Sequence, residues 1–140
     1  MDAIAKDRRF RRRGTEIVEA AIVLPLLLML VLGAIEYGWL FLNAQQITNA
    51  ARHGARIAIL PHDTAVAEAT AAITTLLSNA GLADNSPDVT ITPLTVDGHE
   101  CVAVRIAVPT TGLAVVNAPG LIPIPATLGC TITMAKEGGS

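Results

Sequence analysis

A chain of 140 residues that is 51% apolar but only 3% aromatic is one small unit plus a membrane element; it excludes two full domains with aromatic-rich cores. The net charge of −2 hides an asymmetry: residues 1–13 carry six basic and two acidic side chains, and residues 14–140 carry four basic and ten acidic ones. A basic flank ahead of an apolar run follows the positive-inside rule and places the N-terminus in the cytoplasm, a better account of these arginines than a nucleic-acid-binding arm.

Residues 1–14 read as a basic leader ending in Arg11-Arg12-Arg13-Gly14, with residues 1–13 expected to be disordered. Thr15-Glu16-Ile17-Val18-Glu19 follows, and residues 20–35 then carry no charge. An ionised carboxylate inside an apolar segment is costly and usually functional, so a plain anchor has no need of Glu19. The junction reads as a precursor cut between Gly14 and Thr15 that then assembles within a membrane. Helical spacing continues from Thr15 to about Ile59. The 26 residues 17–42 would extend about 39 Å at about 1.5 Å per residue, enough for a hydrocarbon core of about 30 Å. Tyr37, Trp39 and Phe41 stand where the helix would leave the bilayer, a depth that aromatic rings favour. Pro25 removes one helical hydrogen bond and is expected to kink the helix.

Residues 43–60 turn polar but keep a stripe of Leu42, Ile47, Ala50, Ala51 and Ala58. Arg52 and Arg56 read as solvated charges, or as contacts for lipid phosphates or for a carboxylate such as Glu36 of a neighbouring subunit. Pro61 ends this helix. Asp63 or Thr64 caps a second one, with Val66, Ala69, Ile73, Leu76, Leu77 and Ala80 as its apolar stripe and Gly81 as its stop.

The period then changes to two. Residues 88–96 and 100–108 read as strands around an Asp97-Gly98 turn, and Pro93 weakens the first or places it at an edge. An irregular loop over residues 109–129 leads to a last short strand at residues 130–134. Cys101 falls on the strand face opposite Val102, Val104 and Ile106. In an exported, oxidising compartment Cys101 and Cys130 are expected to form a disulfide that staples this small domain; the alternative is two buried free thiols. The fold class is therefore α+β: a long N-terminal membrane-spanning helix, a second shorter helix and a small antiparallel sheet. The expected divisions are the leader (1–14), the transmembrane and assembly helix (15–60) and a small exported domain (61–140).

Enzymatic chemistry has no foothold. His53, His62 and His99 lack ligand spacing, there is no CxxC, and no GxSxG, P-loop or HExxH pattern occurs. No catalytic residue, cofactor or metal is expected. A cleaved secretory signal fits poorly, because the best cut, after Leu32-Gly33-Ala34, has a bulky Leu32 where a small residue is wanted. The rival reading is a single-pass or signal-bearing exported structural protein of another kind.

The Gly14–Glu19 junction with the helix behind it resembles the type IV prepilin class, in which a membrane peptidase cuts after the glycine and the fifth mature residue is glutamate. Glu36-Tyr37-Gly38 and Ala50-Ala51-Arg52-His53-Gly54-Ala55-Arg56 make residues 8–60 similar, more narrowly, to TadE-like minor pilins or pseudopilins of tight-adherence (Flp) pili. The resemblance implies a processing site at Gly14 and Thr15, and assembly through Glu19 with Glu16 as a second candidate. It implies as partners a prepilin peptidase, other major and minor pilins, an inner-membrane assembly platform and the lipid bilayer, with no nucleic acid. The implied location is the bacterial inner membrane, with the C-terminal domain exported and the pilus surface as a further destination. Ala20 stands where the major pilins carry an aromatic, which implies a minor component. Cleavage would free the Thr15 amine one turn from Glu19, and pairing of the two would offset a desolvation cost of several kcal/mol per ion.

Overall fold

The computed structural model describes residues 2–116 and 122–136, with side chains from Glu16 onward. In chain order it has helix α1 (Asp2–Ala58), helix α2 (Ala65–Asn79), a 3₁₀ turn (Ala83–Asn85) and strands β1 (Asp88–Val96), β2 (His99–Pro109) and β3 (Thr127–Ala135). This is the α+β arrangement expected. Two compact units divide it, Met1–Tyr37 and Gly38–Ser140. The second unit takes in α1 from Gly38 onward, well upstream of residue 61.

α1 begins at Asp2, so residues 2–13 are helical, not disordered as expected. Residues 2–13 contain no breaker; Ala, Lys and Arg are good helix formers, and Gly14 by itself costs only about 1 kcal/mol. The helix is assigned without interruption through Pro25, since proline removes one donor while the turns on either side stay bonded. In the first unit every residue from 16 to 32 is exposed.

The core lies in the second unit. From β2 it takes Val102, Val104, Ile106 and Val108, from α1 Ile47, Ala50, Ala51, Ala55 and Ala58, and from α2 Ala69, Ile73 and Leu77. The apolar stripe of α2 is narrower than its spacing implied: Val66 is 47% and Leu76 38% exposed. The buried residues Ala65, Ala69, Ile73 and Leu77 follow one another at four-residue steps, and Val66 and Leu76 each stand about 100° round the helix from the buried residue beside them, Ala65 and Leu77. Thr64 is the N-cap by backbone position but makes no side-chain cap bond; its hydroxyl donates instead to Glu68 Oε1 at 2.7 Å. At the other end Gly81 adopts φ +73°. Its N–H donates to Ser78 O and the Leu82 N–H to Leu77 O. This is the Schellman pattern, completed by Leu77 and Leu82 in the same apolar cluster.

The sheet is antiparallel in the order β1-β2-β3. Val96 pairs with His99 across a two-residue turn in which Asp97 and Gly98 have φ of 51° and 81°. Two positive φ values make the type I′ turn, whose twist matches the flanking strands. Pro93 lies in β1, which is an edge strand.

Candidate functional site

The backbone at Gly14 and Thr15 is helical, and their side chains lie outside the described residues. Glu16 and Glu19 are both exposed, three residues apart and therefore neighbours on one helix face. Around them Ile17 is 70%, Val18 60% and Ile22 70% exposed. Two carboxylates are thus set at the start of an apolar surface that runs for several turns. Water solvates such carboxylates freely, but inside a bilayer or a helix bundle they need a cationic partner.

At the far end of the apolar segment, Glu36 and Asn43 are each 2% exposed. Asn43 Nδ2 donates to Trp39 O at 2.9 Å, back along its own helix. Arg52 and Arg56 are exposed. Nothing local in the sequence distinguishes a buried Glu36 from an exposed one.

The Ala50-to-Arg56 tract separates by face. Ala50, Ala51, Gly54 and Ala55 are buried, whereas Arg52, His53 and Arg56 are exposed. A methyl group added at Gly54 would overlap the Ile73 side chain of α2. Gly54 is thus where α2 crosses α1, and the small residues around it let the two helices approach. The spacing of small residues at 50, 51, 54, 55 and 58 carried that signal. By contrast, Cβ atoms at Gly33 and Gly38 would meet nothing within 4 Å.

The cysteines are not brought together. Both are free thiols. Cys130 pairs in register with Ile106 and Cys101 with Ala135, which sets them five positions apart along the ladder. They also occupy opposite faces: Cys130 shares the inner face with Ile106, and Cys101 the outer face with Ala103 and Arg105. At about 3.3 Å per residue that separation far exceeds the roughly 4.4–6.8 Å a disulfide spans. The structure therefore does not form the expected Cys101–Cys130 disulfide; it holds two free thiols, of which Cys101 is buried and Cys130 only partly so.

The Cys130 thiol faces α1, with its sulfur 3.8 Å from Ile47 O. Burial raises its pKa above the ordinary thiol value, and a hydrogen bond with Thr48 and the Arg52 charge only partly oppose that. A folded pKa above the unfolded one means that the folded state holds its proton longer. Stability from this group is complete below the ordinary thiol pKa and is lost as pH rises from there through the folded value. The native protein, purified without reductant, should therefore show two free thiols on denaturation and slow labelling of Cys130 before it. A non-reduced mass two protons lighter would contradict this. Chemical denaturation should also show a falling midpoint above about pH 9, a fall that Cys130→Ala reduces.

No metal site arises among the described residues. His62 Nε2 stands 3.9 Å from Glu68 Oε2 with both side chains exposed, a surface pair of little weight. α1 provides one segment long and apolar enough to cross a membrane, Glu16–Ala58, with a mean hydropathy of 2.6 in its most apolar window.

The family model described as TadE-like protein matches residues 14–56. Comparison with curated proteins returned no match, and comparison with solved structures returned none either. The matched segment opens at Gly14, runs through the exposed apolar turns and Glu36, and ends inside the small-residue tract at Arg56. Together with the apolar helix it fits a pilin-like, membrane-anchored protein related to tight-adherence pili. From Gly14 to Arg56, the chain is similar to TadE-like proteins.

Proposed function

We propose that this chain is a minor pilin or pseudopilin, cut after Gly14 by a prepilin-type peptidase and assembled through α1 into a tight-adherence pilus or its secretion machinery, where it supports surface attachment. The leader stays in the cytoplasm, α1 crosses the inner membrane once, and the unit beyond it is exported. Its partners are other major and minor pilins, the assembly platform and the bilayer. The observation that carries this reading is the coincidence of the family match with the junction. The match starts at Gly14, and the fully exposed apolar surface begins just beyond it.

Glu19 supplies the assembly chemistry. Once Thr15 is the first residue, its ammonium sits at a helix N-terminus, where the dipole already disfavours positive charge. Glu19, four residues on, neutralises that amine in its own chain or in a packed neighbour. Glu16 lies closer to the polar boundary and serves mainly to complement the dipole. Glu19→Ala should therefore be processed and inserted normally, while its crosslinking to other pilins falls at least about tenfold, because breaking a buried ion pair costs about 3–5 kcal/mol. Glu16→Ala should crosslink nearly as wild type. Equal yields for wild type and Glu19→Ala would defeat the assignment.

A further inference from the structure

The outer edge of β3 has a ladder of backbone groups that no other part of the described chain satisfies. In an antiparallel pair, alternate residues exchange hydrogen bonds and the residues between them point their N–H and C=O groups away. Two bonds fix the parity. Thr110 N–H donates to Ala126 O and Lys136 N–H to Glu100 O, so the even-numbered residues of β2 bond to β3. Gly129, Thr131, Thr133 and Ala135 therefore direct their backbone groups outward, and among the described residues none of these groups is paired.

The other edge is different. By the same reasoning Val89, Ile91, Pro93 and Thr95 of β1 point outward, since their neighbours carry the bonds that close the Asp97-Gly98 hairpin. Pro93 has no N–H there, so the middle of that edge lacks a donor. Proline at such a position is a usual protection against strand pairing. β3 has no such protection: residues 127–135 contain neither proline nor charge. Its inward side chains Leu128, Ile132 and Met134 are only half-buried, while their β2 neighbours Val104, Ile106 and Val108 are fully covered. One more strand would both satisfy the ladder and finish covering those side chains.

We propose that the β3 edge is a strand-addition site for a different polypeptide, which docks a proline-free extended segment that alternates apolar and small polar side chains. Apolar positions of that segment continue the inner face beside Leu128, Ile132 and Met134. Its small polar positions continue the threonine face of Thr131 and Thr133. A second copy in the same orientation would present its β1 edge to β3, and Pro93 removes a central donor from that pairing. This inference goes beyond the anchoring role of α1 and does not depend on cleavage at Gly14.

Thr131→Pro is the discriminating variant, because the lost N–H points away from β2 and the ladder to β2 stays whole. Amide exchange is measured on the full chain purified alone in detergent micelles and on complexes extracted from the producing cells. The amides of Gly129, Thr131, Thr133 and Ala135 should exchange freely in the isolated chain and at least about tenfold more slowly in the extracted complex. Thr131→Pro should keep the isolated-chain exchange pattern of β2 and lose the added protection. Absence of protection in the extracted complex overturns the proposal, as does protection that Thr131→Pro leaves intact. Protection that appears in the isolated chain simply on raising its concentration also overturns it, since the occupant is then a second copy.

Discussion

Gly54→Val should destabilise the C-terminal unit by about 2–3 kcal/mol or more, lowering its thermal midpoint by roughly 10–20 °C. The first methyl group already overlaps Ile73, whose side chain is 0% exposed and has nowhere to move. Replacing glycine within a helix gains about 1 kcal/mol in propensity, and overpacking a filled core costs about 1–3 kcal/mol. The overpacking wins even for Gly54→Ala, and valine adds two more carbon atoms at the same contact. A marginally stable domain holds only about 5–15 kcal/mol in total, so the loss is a large fraction. Ile73→Ala in the same chain should recover part of it, since each change removes the other's defect; a double-mutant cycle measures that coupling. Cys130 gives a convenient readout, because its thiol becomes reactive when the sheet leaves α1. A midpoint unchanged by Gly54→Val would mean that the two helices do not cross there.

On the proposed cut, Gly14→Arg should have the larger effect, complete loss of the mature form. A peptidase that cuts after residue 14 must accommodate that side chain at the scissile bond, and glycine alone offers none. The variant should insert and remain full-length, with its α-amine at Met1, 18 residues from Glu19. It should therefore also fail to assemble, although its C-terminal unit folds as before. Normal processing of Gly14→Arg would remove the basis for the proposed cut.

Most of the fold was legible because its signals are local. Asp97-Gly98 between two alternating runs specified the hairpin, and Gly81 after an apolar stripe specified the end of α2. Pro93 marked an edge strand for the reason the structure bears out. The cysteine pairing failed because it depended on the register of β3, which no local signal sets. The connection from Pro109 to Thr127 is long, and a shift of one residue moves Cys130 from one face to the other. The helical leader was missed because a run of arginines was read by charge and not by helix propensity. The burial of Glu36 was not legible, because burial at the end of an apolar segment depends on what packs over it.

The candidate site divides in the same way. The order of residues singled out Gly14, Thr15 and Glu19 as candidates, since they lie in one short stretch ahead of an apolar helix. The role of Gly54 needed the position of α2, which begins nine residues after the matched segment ends and contacts it only through the fold.

N-terminal sequencing of the protein extracted from membranes of cells that contain the peptidase tests the central claim most directly. The account predicts a single start at Thr15, with Glu19 as the fifth residue. A start at Met1, or one near Ile35 as a secretory signal would leave, contradicts it.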